Sequence, residues 1–365
     1  MKKDNNFYAL ILAGGLGSRF WPASKESLPK QFINLTGTGK TLIQETFTRI
    51  QKIIQIENIF ISTNNKYKNL VTKQIPEINS KNLICEPLMR NTAPSILYGS
   101  LKISQINKEA KMIVLPSDHF IKKLNEFYKN VEHAFSVSKS NHLVTFGINP
   151  SFPSTNYGYI KVKNTRESFQ KVLRFTEKPG KKLAEKFLRS NMYFWNSGIF
   201  VWSTESILNA FKFFEPDLMK VFKSNLKKFD SDEETHFFKI IFPKIKSSSI
   251  DYSILEKAQN TYIIKSDFEW SDLGTWESLF ETLSKKNIKK NIKKNINIGF
   301  KENHLNSSDG NIMFSDQKKL IILDSLKDHI IVNNKEMLMI IPRNKIESIP
   351  KLKEVLIKRF GNDLN

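Results

Sequence analysis

Apolar residues follow two rhythms along this chain. Predominantly apolar, β-like runs at residues 8–13, 58–63, 112–116 and 142–147 read as buried strands. Between them, residues 41–50, 93–106 and 125–139 place apolar side chains at helical intervals. Strands and helices in alternation predict an α/β protein with a doubly wound sheet. Residues 157–180 carry hairpin-like material ending in Glu177-Lys178-Pro179, and residues 181–191 continue as a basic amphipathic helix. The character changes at residues 284–298, where Lys-Lys-Asn-Ile repeats in tandem and reads as a solvated, low-complexity linker. Short strand-like pieces return over residues 299–341, including 319–323 and 329–332, with turns at Ser308-Asp309-Gly310 and Asn333-Asn334. Residues 345–360 close as a helix. The expected organisation is a large α/β domain over residues 1–283, the linker over 284–298, and a small β-rich C-terminal domain with a terminal helix over 299–365.

Composition narrows the picture. With 40% hydrophobic and 12% aromatic residues, the 365-residue chain has enough apolar surface for a sizeable core, which excludes global disorder. The first apolar run is too short to span a bilayer and lacks a cleavage signal, so no membrane partner is expected. The single cysteine, Cys85, excludes an internal disulfide and suits a reducing compartment, the cytoplasm being the expected location. A formal net charge of +21 raises the question of nucleic acid. The lysines, however, are scattered among Asn, Ser and Ile, with no arginine run and no aromatic–basic module. No nucleic-acid partner is expected; the positive field would favour small anionic substrates instead.

The most informative stretch runs from Leu12 to Phe32. Gly14, Gly15 and Gly17 leave the first strand directly, where a backbone without Cβ atoms brings N–H groups close to phosphate oxygens. Arg19 and Lys30 add two cations. A tight strand-to-helix turn is the plainer reading of the glycines alone. The dinucleotide fingerprint is excluded because its third glycine falls on Phe20. The P-loop is excluded because Gly39-Lys40-Thr41 has Asn34 where the first glycine belongs.

Gly-Gly-x-Gly-x-Arg followed by Trp-Pro and Pro-Lys-Gln-Phe resembles the signature of the mannose-1-phosphate guanylyltransferases, within the sugar-nucleotide pyrophosphorylase group. The fold this implies is the Rossmann-like mixed sheet of the nucleotidyltransferases. Glu86-Pro87-Leu-Met-Arg90-Asn91-Thr92 resembles the family segment near the nucleobase, although Asn91 or Thr92 equally suits a helix cap. Pro116-Ser117-Asp118-His119 follows a strand end, where ligands of open α/β sheets bind; a capping aspartate is the alternative. Trp270-Ser271-Asp272-Leu273-Gly274 resembles a second metal-binding segment. On this resemblance Leu12, Ala13, Gly14, Gly15, Gly17, Ser18, Arg19, Glu86, Arg90, Asn91, Pro116, Ser117 and Asp118 bind the nucleotide. Asp118 and Asp272 hold Mg²⁺, and Arg19 and Lys30 stabilise the departing pyrophosphate. Gly158, Glu177, Lys178 and Asn196 bind the sugar phosphate. Ser249-Ile250-Asp251-Tyr252 matches a further family segment, and Asp251 is expected to organise the site. The chain departs from the family at Lys25, where arginine is usual, and in the Lys-Lys-Asn-Ile repeat.

The implied reaction transfers GMP from GTP to mannose 1-phosphate. A phosphate monoester is already largely dianionic at neutral pH, so no general base is required. Alignment and charge neutralisation carry such a reaction. The alternatives are a sister enzyme using glucose 1-phosphate with UTP or dTTP, a non-catalytic sensor of nucleotide sugars, and a basic nucleic-acid-binding protein. A homodimer is compatible with the sequence.

Overall fold

The first four expected strands form within a residue of their expected bounds, as Phe7–Ala13, Ile59–Asn64, Lys111–Pro116 and Leu143–Ile148. The computed structural model describes residues 3–138, 141–163, 165–228, 231, 233–284 and 295–361. Most of the Lys-Lys-Asn-Ile repeat, and residue 139 at the end of an expected helix, lie outside the described residues. The chain divides into two compact units, each built from separate stretches. The first comprises Met1–Gly14, Phe47–Pro116 and Ile121–Trp270; the second comprises Gly15–Thr46, Ser117–Phe120 and Ser271–Asn365.

The first unit is organised by a mixed sheet. Its strands lie in the order Leu83–Glu86, Ile59–Asn64, Phe7–Ala13, Lys111–Pro116, Tyr193–Ser203, Leu143–Ile148, Thr261–Lys265 and Phe169–Lys171. The first four are parallel. Tyr193–Ser203 runs antiparallel to both of its central neighbours. The parallel strands read as near-continuous apolar runs because both sheet faces are covered. Helix Thr92–Ile106 is buried from Ala93 to Ile103, and Ile96 and Leu97 join Leu10, Phe60, Val114 and Trp202 in one core. Helix Leu124–Val137, whose buried residues do not belong to that core, stacks the Phe135 ring on Phe7, centroids 4.0 Å apart. The expected helix over 181–191 is found as Lys181–Ser190.

In the second unit, strands Ile296–Ile298, Ile312–Ser315, His329–Asn333 and Leu338–Pro342 form one sheet, while Glu302–Asn306 and Leu320–Asp324 form another. Parallel pairing sets Ile296 beside Ile312 and Ile312 beside Ile330, as in a coil of stacked rungs. Asparagines stitch the corners. Asn295 Oδ1 accepts from the N–H and side-chain amide of Asn311, whose Oδ1 accepts from the N–H of His329. The rung isoleucines pack with Phe20, Trp21, Trp276 and Phe314 in a second core. The closing α-helix begins at Ile349, after a 3₁₀ turn over Arg343–Ser348; Pro350, in its first turn, has no N–H to donate to a preceding turn. Among the described residues no helix is long and apolar enough to cross a membrane.

Candidate active site

In the second unit the glycine loop turns at Gly17, whose φ of 61° caps the 3₁₀ turn Ser18–Phe20. A Cβ at Gly17 would lie 2.6 Å from Cβ and Cγ of Lys30, so both the turn and the close approach demand glycine. Gly15 differs: its φ is not in the left-handed region, and a Cβ there would meet no protein atom within 4 Å. Its missing side chain serves neither the turn nor the packing, and its backbone borders open space, as does that of Gly14 in the first unit. The loop is held from behind. Gln31 Nε2 donates to the Gly15 carbonyl at 2.9 Å and Ser24 Oγ to the Gly17 carbonyl at 2.5 Å. Ser18 and Arg19 are exposed.

Lys30 is buried, and its ammonium has three protein acceptors: the Asp272 carbonyl at 2.8 Å, the Leu273 carbonyl at 3.0 Å and Asp118 Oδ2 at 3.0 Å. An ammonium has three hydrogens. Lys30 therefore ties two distant segments together, which differs from its expected contact with pyrophosphate. Burial tends to raise the Asp118 carboxyl, but Lys30 and then His119 hold it below the usual carboxylate range. Asp118 follows the strand end Pro116 through Ser117, whose carbonyl accepts from Thr46 Oγ1 at 3.2 Å. Asp272 Oδ1 accepts the Gly274 N–H at 3.0 Å. Between them Leu273, fully buried, holds a φ of 44°, a conformation costing a branched residue about 1–2 kcal/mol. Among the described residues no group of three His, Cys, Asp or Glu side chains suits a metal. Two carboxylates, one of them held ionised, suit a hard ion that keeps water and phosphate oxygens in its shell, as Mg²⁺ does.

In the first unit Glu86 ends a strand and is buried. Its Oε1 accepts from Ser95 Oγ at 2.5 Å and Ser62 Oγ at 3.4 Å, while burial pushes its carboxyl up to about 7. Arg90 donates Nη2 to the Pro243 carbonyl. Asn91, with a φ of 65°, caps helix Thr92–Ile106, its side chain accepting the Thr92 N–H at 3.1 Å. Thr92 Oγ1 accepts the Ile250 N–H, and Ser248 O accepts the Ala93 N–H. The segment expected near the nucleobase is thus tied to residues 243–250, a pairing the sequence does not suggest.

The four residues expected at the sugar phosphate do come together, also in the first unit. A Cβ on Gly158 would stand 2.4 Å from Glu177 Oε2, and the Gly158 carbonyl accepts the Asn196 N–H at 2.8 Å. Glu177 Oε1 pairs with Lys178 Nζ at 3.0 Å; the Lys178 side chain is 61% exposed and can still reach an anion. Lys178 has a φ of 44°. Asn196 lies not in a loop but in the central strand Tyr193–Ser203, where the pairing shifts between Asn196 and Phe200 around Gly198, φ 70°. Such a bulge re-aims side chains. The side chain of Asn196 donates to Asp251 Oδ1 at 3.1 Å and accepts from Thr145 Oγ1 at 3.0 Å. Asp251 opens a single π-helical turn, Asp251–Leu255; burial and then the nearby Glu177 push its carboxyl up to about 7. Glu256 Oε1 accepts the Glu177 N–H at 3.2 Å. The sequence assigns no role to Thr145 or Glu256, and Gln31 stands in it only as part of Pro-Lys-Gln-Phe.

Residues 8–288 match the nucleotidyl transferase family. A mannose-1-phosphate guanylyltransferase of Klebsiella pneumoniae is 32% identical over 356 residues, covering 95% of this chain and 73% of that protein. One of Escherichia coli shows the same identity and coverage. Among solved structures, the crystal structure of a mannose-1-phosphate geranyltransferase from Thermus thermophilus gives a TM-score of 0.85 at 23% identity, over 96% of this chain and 99% of that one. That likeness concerns the fold.

Proposed function

The chain belongs to the nucleotidyl transferase family and, within it, to the mannose-1-phosphate guanylyltransferases; on that premise we propose that it makes GDP-mannose and pyrophosphate from GTP and mannose 1-phosphate. An oxygen of the sugar phosphate attacks the α-phosphorus of GTP in line; the new O–P bond forms as the bond to the β-phosphate oxygen breaks, and pyrophosphate carries the electron pair away. No proton has to be removed from the nucleophile. The work left to the protein is alignment and charge neutralisation.

The backbone of Gly14, Gly15 and Gly17 and the Arg19 side chain take the phosphates of GTP. Asp118 and Asp272 hold Mg²⁺, which when bound neutralises charge on the phosphate oxygens. Lys30 acts by holding the Asp118 and Asp272 segments together. Lys178 binds the sugar phosphate, with Glu177 and Asn196 on the sugar hydroxyls. Arg90 and Asn91 border the base. The observation that carries this reading is the Lys30 ammonium, which gathers the Asp118 carboxylate and the Asp272 backbone against the same side chain that Gly17 touches.

The test is pyrophosphate release from each nucleoside triphosphate paired with mannose or glucose 1-phosphate, with and without Mg²⁺. The expected result is Mg²⁺-dependent release with GTP and mannose 1-phosphate. Preference for UTP or dTTP with glucose 1-phosphate would move the chain to the sister activity, and no release with any pair would remove the catalytic reading.

A further inference from the structure

Asn196 meets protein on both sides of its side-chain amide. Its Oδ1 accepts from Thr145 Oγ1 at 3.0 Å and from the Gly198 N–H at 3.3 Å, and its Nδ2 donates to Asp251 Oδ1 at 3.1 Å. Reversing the amide would set two N–H donors together at Gly198 and, with Asp251 ionised, two oxygens together at Asp251. The orientation is therefore fixed, and a carboxamide so fixed has one remaining N–H to offer. Thr145 is fully buried, and its single hydroxyl hydrogen lies between Asn196 Oδ1 and the Ile199 carbonyl at 3.1 Å, inside the strand irregularity. From the geometry we infer that Asp251 and Thr145 are positioning residues that lock Asn196 with an N–H, not its carbonyl, available to a sugar hydroxyl. This rests on the assignment of the sugar phosphate to the cluster of Gly158, Glu177, Lys178 and Asn196. It also gives the Ser249–Tyr252 segment a role, since Asp251 sets the polarity of a hydrogen bond made by another residue.

Steady-state kinetics of the full chain test this with four variants, each checked for folding by thermal melting. Asp251→Ala raises the KM for mannose 1-phosphate about tenfold and leaves the KM for GTP within about twofold, the loss of one or two well-placed hydrogen bonds. Asp251→Asn, which keeps an oxygen acceptor for Asn196 Nδ2, recovers most of that affinity. Asn196→Ala gives a rise like that of Asp251→Ala, and the double variant is no worse than Asn196→Ala alone, since the two act as one unit. Thr145→Val perturbs the opposite end of the amide and shifts the same KM in the same direction, which keeps the test open should Asp251→Ala fail to fold. Fully additive effects of Asp251→Ala and Asn196→Ala, or no rescue by Asp251→Asn, overturn the positioning role. If Asn196→Ala itself leaves the KM for mannose 1-phosphate unchanged, it is the underlying placement of the sugar phosphate that fails.

Discussion

A single substitution separates the metal role proposed for Asp272 from its backbone contact. Asp272 Oδ1 accepts the Gly274 N–H, a bond that an asparagine oxygen makes equally well, so Asp272→Asn should fold with an unchanged melting temperature. What it loses is the negative charge for a divalent cation, and turnover should fall about a hundredfold or more, the scale at which a preorganised electrostatic contact acts. Pyrophosphate release with Mg²⁺ measures it; near-normal turnover would end the metal role. Glu86 makes a prediction of the other kind, on stability. Its carboxyl rises from an ordinary 4.5 to about 7 in the folded chain. The folded state thus binds this proton more tightly than the unfolded state does, and the stability it contributes is full below about pH 4.5 and is lost as pH climbs through 7. A shift of that size corresponds to roughly 3 kcal/mol. Glu86→Gln, with no proton to lose, should gain stability relative to the parent by about that amount between pH 4.5 and 8, read as denaturant midpoints across the range. A constant difference between the two proteins would mean Glu86 titrates normally.

At the level of elements, the loop after the first strand contains two glycines with opposite reasons for being there. Gly17 is demanded by its left-handed φ and by the Lys30 side chain 2.6 Å from any Cβ, and Lys30 is held by three acceptors and cannot give way. Gly17→Ala should therefore destabilise by about 1–3 kcal/mol and impair activity with it. Gly15 has neither constraint. Gly15→Ala should leave the melting curve unchanged within about 0.5 kcal/mol, yet raise the KM for GTP, because the methyl group enters the space meant for phosphate. A stable, fully active Gly15→Ala would remove the phosphate assignment from this loop. The contrast also shows what a sequence can convey. Glycines after a strand, Trp-Pro and Pro-Lys-Gln-Phe are local signals, and the residues expected at the sugar phosphate were found together because each lies in a short motif of its own. The capture of the Lys30 ammonium by Asp272 and Leu273 was not legible, since those partners lie far along the chain and backbone carbonyls carry no sequence signature. The strand Tyr193–Ser203, the antiparallel centre of the sheet, is not among the strands the sequence predicts, because its Asn-Ser-Gly stretch looks like a turn and in fact forms the irregularity that aims Asn196. The pairing of Arg90 with Pro243 was hidden for the same reason as that of Lys30.

Over the whole molecule, the chain passes from one unit to the other inside three of its motifs: between Gly14 and Gly15, between Pro116 and Ser117, and between Trp270 and Ser271. The second unit consequently draws on the beginning, the middle and the end of the sequence, and its core is shared among them. Phe20 meets Trp276 edge-on at 5.0 Å, Trp276 meets Phe314 at 6.0 Å, and Ile312 and Ile330 of the stacked rungs complete the cluster. The rungs are fastened to the loop region as well: Asn334 Nδ2 donates to the Pro22 carbonyl at 2.9 Å, and Glu336 pairs with Lys25 at 2.7 Å. Lys25, the departure from the family's arginine, thus still finds a carboxylate partner. A chain ending at residue 283 keeps the glycine loop and both aspartate segments but removes Ile296, Ile298, Ile312, Phe314, Ile330 and Val332 from the cluster around Phe20, Trp21 and Trp276, each a loss on the order of 1.5–3 kcal/mol of burial. Such a truncated protein should keep the secondary structure of its mixed sheet by circular dichroism while failing to bind GTP, measured by calorimetry on the two proteins side by side. The glycine loop would then depend on the C-terminal rungs for its shape. Undiminished GTP binding by residues 1–283 would instead make the rungs dispensable to the loop, and the aromatic cluster around Trp276 would have to hold without them.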